Sequence, residues 1–271
     1  MASKIKEHWD SADGWRIFRI MAEFVEGFET MSRVGKAVSI FGSARTKPED
    51  PYYKAAEETA RLLTKANFAV ITGGGPGIME AANKGAHDAQ GTSVGLNISL
   101  PHEQESNRYI NVGMNFHYFY ARKVMFVKYA SAFICFPGGF GTLDECFETL
   151  TLIQTLKIDP FPVILFGTDY WTGLVEWMRG RLSPDFIDLE DINIFRIVDR
   201  PKDAVAIVKE GQKQRWWKPS NGRLKQIAKS GGGVEGPMSG PDSKDGEGTR
   251  YGIRPTPAKA RHAVAAKKPT S

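Results

Sequence analysis

The sequence predicts an α/β fold in which a parallel sheet is covered on both faces by helices. Three observations carry that reading. Short, almost continuously apolar runs recur at AVSIF (37 to 41), FAVIT (68 to 72), TSVGLNI (92 to 98), SAFICF (131 to 136), FPVILF (161 to 166) and NIFRIV (193 to 198). Segments of helix length separate most of them, and glycine clusters directly follow two of them. Strands buried on both faces lose the apolar/polar alternation, and parallel neighbours need a long crossover, usually a helix.

Taken in order, residues 1–35 form an N-terminal helical extension. Within it GWRIFRIMAEFVEGFETMSRVG sets Trp15, Phe18, Met21, Phe24, Val25 and Phe28 at helical spacing, with Gly27 as a weak point. A single domain over 36–218 then alternates the six runs with PYYKAAEETARLLTKA, GIMEAANKGAHDAQ, FYARKVMFVKYA, TLDECFETLTLIQTLK and YWTGLVEWMRG, and PKDAVAIVKEGQKQRWW closes it. Right-handed crossovers put the strand ends and the following helix N-termini along one edge of the sheet, where a ligand is expected.

Residues 219–271 read as a basic tail. They hold ten Lys/Arg against four Asp/Glu, a charge of +6 in a chain whose total is +5, so the first 218 residues carry −1. From Ser230 onward Gly, Pro, Ser and charge dominate, and such a composition buries too little apolar area to offset its ordering entropy, so disorder is expected. The arm KARHAVAAKK has no aromatic interleaving, which argues against a nucleic-acid partner. The chain shows neither a leader pattern nor an apolar run of membrane-spanning length, and its two cysteines, Cys135 and Cys146, lack metal or disulfide spacing; a cytoplasmic protein is the expectation.

The chemistry concentrates at the glycine clusters. In FAVITGGGPGIMEAANKGA the strand ends at Thr72, Gly73, Gly74 and Gly75 turn the chain, and Gly77 opens a helix whose free amides suit a phosphate. In FICFPGGFGTLDE, Pro137 fixes the exit, Gly138, Gly139 and Gly141 make the turn, and Thr142 stands as a cap for the next helix. Glu145, three residues after Thr142, has a plain alternative role as the far half of a capping box, and Asp144 as a favourable helix-dipole acid. Two anion-friendly turns on one edge would hold a phosphate and its attached sugar, with a carboxylate in reach of that sugar.

GGGPGIMEAANKGA (73 to 86), ARK (121 to 123) and PGGFGTLDE (137 to 145) together resemble the LOG family, long labelled lysine decarboxylases and including cytokinin riboside 5'-monophosphate phosphoribohydrolases. The likeness runs from about Lys36 to Gly211. It implies a Rossmann-like domain, usually a homodimer, that needs no cofactor and hydrolyses the N-glycosidic bond of a nucleoside 5'-monophosphate, such as AMP or a cytokinin riboside monophosphate. It also implies Arg122 and Glu145 as the paired functional residues, and Gly73, Gly74, Gly75, Gly77, Gly138, Gly139, Gly141 and Thr142 as the phosphate-binding set. Glu80 and Asp144 depart from residues common in the family. With Asn115 and Lys123 they are candidate contacts to base or ribose.

A carboxylate fits this chemistry because loss of the base leaves an oxocarbenium-like ribose, whose charge develops only in the transition state. Arg122 is too basic to act as an acid and reads as a clamp on the substrate or on Glu145. His87, His102 and His117 have no metal-binding spacing, and Lys84 and Lys123 lack the surroundings of a Schiff-base lysine. The rival reading is a protein that binds a nucleotide or the molybdenum cofactor without cleaving it; retention of both Arg122 and Glu145 weighs against it.

Overall fold

The computed structural model describes residues 11–99, 106–213 and 216–219. Seven strands form one parallel sheet: β1 (Ala37–Phe41), β2 (Ala69–Thr72), β3 (Ser93–Ile98), β4 (Val112–Phe116), β5 (Ala130–Cys135), β6 (Val163–Phe166) and β7 (Phe195–Val198). Their spatial order is β4-β3-β2-β1-β5-β6-β7, with every neighbouring pair parallel. The chain is thus a Rossmann-like single domain preceded by a helix. The strand order reverses between β1 and β5, the position at which open α/β sheets leave a crevice.

All five residues of β1 and all four of β2 and β6 are buried, as expected of strands covered on both faces. Helices α2 (Pro51–Lys65), α3 (Ile78–Asp88) and α7 (Pro201–Gly211) cover one face through Tyr53, Leu63, Ile78, Ala82 and Val208. The opposite face is covered by α4 (Phe119–Lys128), α5 (Phe140–Gln154) and α6 (Thr168–Trp177), through residues such as Met125, Phe126, Ile153 and the fully buried Trp171. Trp171 satisfies its indole N–H on the Phe166 carbonyl, so its large apolar area is buried without an orphaned donor.

The N-terminal helix α1 (Ser11–Met31) lies on α4. Phe24 and Phe28 pack on the core while Trp15, Phe18, Met21 and Val25 stay exposed. Glu23, 8% exposed, anchors the contact by accepting the His117 and Tyr118 backbone N–H groups that precede α4.

Two sequence expectations need correction. None of the six apolar runs falls between residues 99 and 119, yet Val112–Phe116 is a strand at the sheet's edge, paired with β3. Half-covered, it alternates exposed Gly113 and Asn115 with buried Met114 and Phe116, and its small and polar members mask the apolar signal. Asn115 is therefore an exposed edge residue. The second correction is the start of α5, which begins at Phe140 with Gly139 as its cap and no side-chain capping bond. Thr142 lies inside the helix, and the expected capping box with Glu145 does not form. His102 and the tail beyond Pro219 lie outside the described residues.

The two helices α2 and α3 touch closely at Gly85, where an added Cβ would meet the Glu57 carbonyl carbon at 2.8 Å and the Ala60 Cβ at 3.1 Å. Helix propensity alone favours alanine there by roughly 1 kcal/mol, whereas overpacking costs about 1–3 kcal/mol. Gly85→Ala is expected to lower the thermal unfolding midpoint by about 2 °C or more; a rise would show that α2 and α3 separate freely.

Candidate active site

Three loops meet at the reversal between β1 and β5: Gly42 to Arg45 after β1, Gly73 to Gly77 after β2, and Pro137 to Gly141 after β5. Backbone bonds knit them together. Ser43 N–H donates to the Pro137 carbonyl at 2.9 Å, and Ile78 N–H donates to the Ser43 carbonyl at 3.0 Å. This close approach explains Gly77, which has φ of 68° and whose Cβ would strike the backbone of Ser43 and Ala44. Tyr170 on α6 supports the third loop by donating its hydroxyl to the Gly138 carbonyl.

Between the loops lies a cavity of about 640 Å³, within the usual range for small-molecule sites. Of the glycines expected to bind phosphate, Gly73, Gly75, Gly139 and Gly141 line it, together with Thr142. Gly74, Gly77 and Gly138 do not; their room is taken up by Asn97, Ser43 and Thr142, so their work is to let the loops approach. Gly139 and Gly141 differ, because a Cβ on either would meet no protein atom within 4 Å. The space beside their backbone is open to a ligand, at the N-terminus of α5 where the helix dipole and free amides favour an anion.

Arg122 and Glu145 both line this cavity, as do Arg45, Asn97, Ile98, Met79, Phe119, Phe126 and Phe140. Glu145 sits on the second turn of α5 and is 4% exposed. Its Oε2 and the Arg122 Nε are buried and have no hydrogen-bond partner among the described residues. The Arg122 guanidinium instead lies over Phe119 and Phe126, 5.1 and 5.5 Å from the ring centroids. Burial lowers its pKa, partly offset by the Glu145 and Asp144 charges, yet leaves it a cation at neutral pH. Burial acts in the opposite direction on Glu145, raising its pKa from 4.5 to about 7; Lys123 and Arg122 pull it down, Glu148 and Asp144 push it up.

The remaining candidates lie elsewhere. Lys123 and Asp144 pair with each other at 2.8 Å and do not line the cavity. Glu80, in the first turn of α3, faces the surroundings of Tyr53 and Arg108. Asn115 is separated from the cavity by its β3 neighbour Asn97, which is the strand-end asparagine that does line it. Sequence reasoning missed the β1 loop as a whole. Its signal was present in the run of AVSIF into GSAR, a third strand ending in small residues, but one glycine is a weak marker beside the two clusters.

The chain has relatives among known proteins. The family described as "Possible lysine decarboxylase" matches residues 79–208. The probable cytokinin riboside 5'-monophosphate phosphoribohydrolase LOG4 of Oryza sativa subsp. japonica is 28% identical over 190 residues, spanning 67% of this chain and 82% of that protein. The Arabidopsis thaliana cytokinin riboside 5'-monophosphate phosphoribohydrolase LOG4 is also 28% identical over 190 residues, with 67% and 86% covered. Among solved structures, the molybdenum cofactor binding protein of Rippkaea orientalis shares the fold, with a TM-score of 0.51 and 21% identity over 66% of this chain and 97% of that one.

The buried carboxyl of Glu145 makes stability depend on pH. Because its folded-state pKa lies above the unfolded value, its contribution is fully present below about pH 4.5 and is lost as pH rises through about 7. Glu145→Gln, neutral throughout, is expected to gain on the wild type across that window, by at most about 3 kcal/mol, and to level off above it. Urea unfolding at pH 4, 5.5 and 8 measures this, and a constant difference between the two proteins would contradict it.

Proposed function

The chain belongs to the LOG family, and from that membership and the cavity's geometry we propose that it hydrolyses the N-glycosidic bond of nucleoside 5'-monophosphates. Its relation to these phosphoribohydrolases supports a hydrolase-type function. The observation that carries the finer reading is the pairing, in one cavity, of a buried carboxyl lacking a protein partner with a helix N-terminus whose glycines leave ligand space open.

In this reading the 5'-phosphate rests on the backbone of Gly139, Gly141 and Thr142, with Gly73, Gly75 and Arg45 also lining the cavity. The ribose then lies toward Glu145 and the base toward the apolar side formed by Ile98, Met79, Phe119 and Phe140. The C1'–N bond breaks with its electron pair leaving on the base. The ionised Glu145 stabilises the positive charge that develops on the ribose and accepts a proton from the water whose oxygen bonds to C1'. The base takes up a proton, and ribose 5-phosphate is released. Arg122, without an ion-pair partner among the described residues, clamps a substrate oxygen.

A protein that only carries its ligand would have no use for the carboxyl. An amine-based decarboxylation finds no lysine among the described residues of the cavity wall: Lys84 pairs with Glu57 at 2.6 Å, and Lys123 with acids of α5. No helix among the described residues is long and apolar enough to cross a membrane. The buried free thiols of Cys135 and Cys146 fit the reducing cytoplasm.

We further infer a homodimer. α1 covers only part of the apolar surface of α4, leaving Phe119 and Tyr120 about half exposed beside its own exposed Trp15, Phe18, Met21 and Val25. Sedimentation at micromolar concentration is expected to show a species of twice the 30.0 kDa chain mass, and a monomer would refute this.

Offered a panel of nucleoside monophosphates, N6-prenylated AMP and adenosine, the protein should release base from adenine-type 5'-monophosphates. Its kcat/KM should rise with pH through about 7, as Glu145 ionises. Adenosine should be nearly inert because it lacks the phosphate that positions the ribose. Glu145→Gln should stay folded and lose turnover. Equal cleavage of adenosine and AMP would overturn the phosphate assignment, and turnover by folded Glu145→Gln the catalytic one.

A further inference from the structure

Lys123 follows Arg122 on α4 but is turned away from the cavity toward α5. Its Nζ lies 2.8 Å from Asp144 Oδ2, 2.7 Å from Glu148 Oε2 and 3.6 Å from Glu145 Oε1. The lysine and Glu145 side chains are 17% and 6% exposed, whereas Asp144 and Glu148 reach solvent at 59% and 34%. One ammonium therefore gathers three carboxylates of a single helix, and the innermost is the one in the cavity. Among the described residues the other groups beside Glu145 are Arg122, from the same helix as Lys123, and the neutral thiol of Cys135 on β5, whose pKa is raised by a hydrogen bond with the Cys146 thiol and by burial. Two cations thus stand against three acids.

Resting on the hydrolase reading, we propose that Lys123 is a positioning residue: braced by Asp144 and Glu148, it holds Glu145 through Oε1 and favours its ionised form, leaving Oε2 for the substrate. The two outer acids are essential to this arrangement. They hold the ammonium in place and accept its hydrogen bonds, so that Glu145 feels the positive charge at 3.6 Å without spending an oxygen on a short ion pair. Their own negative charge opposes the effect, so removing one of them acts in the opposite direction to removing the lysine.

The test is the ionisation of Glu145 in the full-length protein, read in two independent ways. With glutamate labelled at the side-chain carboxyl by carbon-13, the Glu145 resonance, assigned by its absence in Glu145→Gln, is titrated by NMR. The acid limb of kcat/KM for AMP is measured in parallel. Lys123→Met is expected to move the midpoint upward by about one pH unit or more, Lys123→Arg to return it near the wild-type value, and Glu148→Gln to move it downward. At pH 7, turnover by Lys123→Met should fall about fivefold or more while KM changes little. An unmoved Glu145 midpoint in folded Lys123→Met overturns the proposal, as does an upward shift in Glu148→Gln, which remains decisive if the lysine variant fails to fold. The NMR titration does not depend on turnover. A chain that releases no base from any monophosphate refutes the hydrolase reading while the Lys123–Glu145 coupling is still measured.

Discussion

The reversal of strand order between β1 and β5 is the constraint on which the site depends. Strands β2, β3 and β4 build outward on one side of β1, and β6 and β7 build outward from β5 on the other. Crossover helices leave these two central strands toward opposite faces, so the loops after them separate and a crevice opens where neither helix can cover the sheet's edge. The β2 loop joins from the side, held to the β1 loop through the Ser43 carbonyl. The cavity is therefore a product of topology, and its lining comes from strand ends and helix starts, which a rigid sheet holds still.

Within that frame the site places charge in a setting that does not suit it. A carboxyl 4% exposed beside a guanidinium whose Nε has no partner among the described residues is a poor arrangement for stability, since each group loses hydration that its protein neighbours replace only in part. Such arrangements persist where a ligand completes them. The phosphate end works differently, with recognition resting on backbone amides and on the absence of side chains at Gly139 and Gly141. One end of the cavity is thus electrostatically poised, and the other is shaped mainly by what is missing.

Much of this was legible in the sequence, for identifiable reasons. Strands buried on both faces are written as unbroken apolar runs, which is why β1 was found with its full bounds, and a glycine cluster after such a run marks a tight turn wherever it occurs. Asn115 and β4 were misread because an edge strand needs only one apolar face, and Gly113 and Asn115 break the pattern that remains. The Thr142 cap was misplaced because a capping box is a local pattern, whereas the start of α5 is set by the glycine turn three residues earlier. Ser43 and Arg45 were invisible as site residues since nothing in one strand's sequence says which other strand will lie beside it. Lys123 was seen, but which way it faces on α4 is decided by packing.

Asn107 gives the loops a further property. Its backbone N–H donates to the Gly74 carbonyl at 2.9 Å, and its side-chain amide lies within hydrogen-bond distance of the Gly74 and Gly75 carbonyls and of Asn83 Oδ1. Asn83 in turn is tied to Thr72 and Ser93, and the Thr72 hydroxyl accepts from Gly74 N–H. Asn107 is therefore latched to the first glycine turn through a polar network. If that latch lets go, the carbonyls of the first glycine turn lose their donors together, so the turn and the residues around Asn107 open as one unit. A ligand resting on the turn would be felt in the exchange of amide hydrogens around Asn107, far along the sequence from the residues it touches.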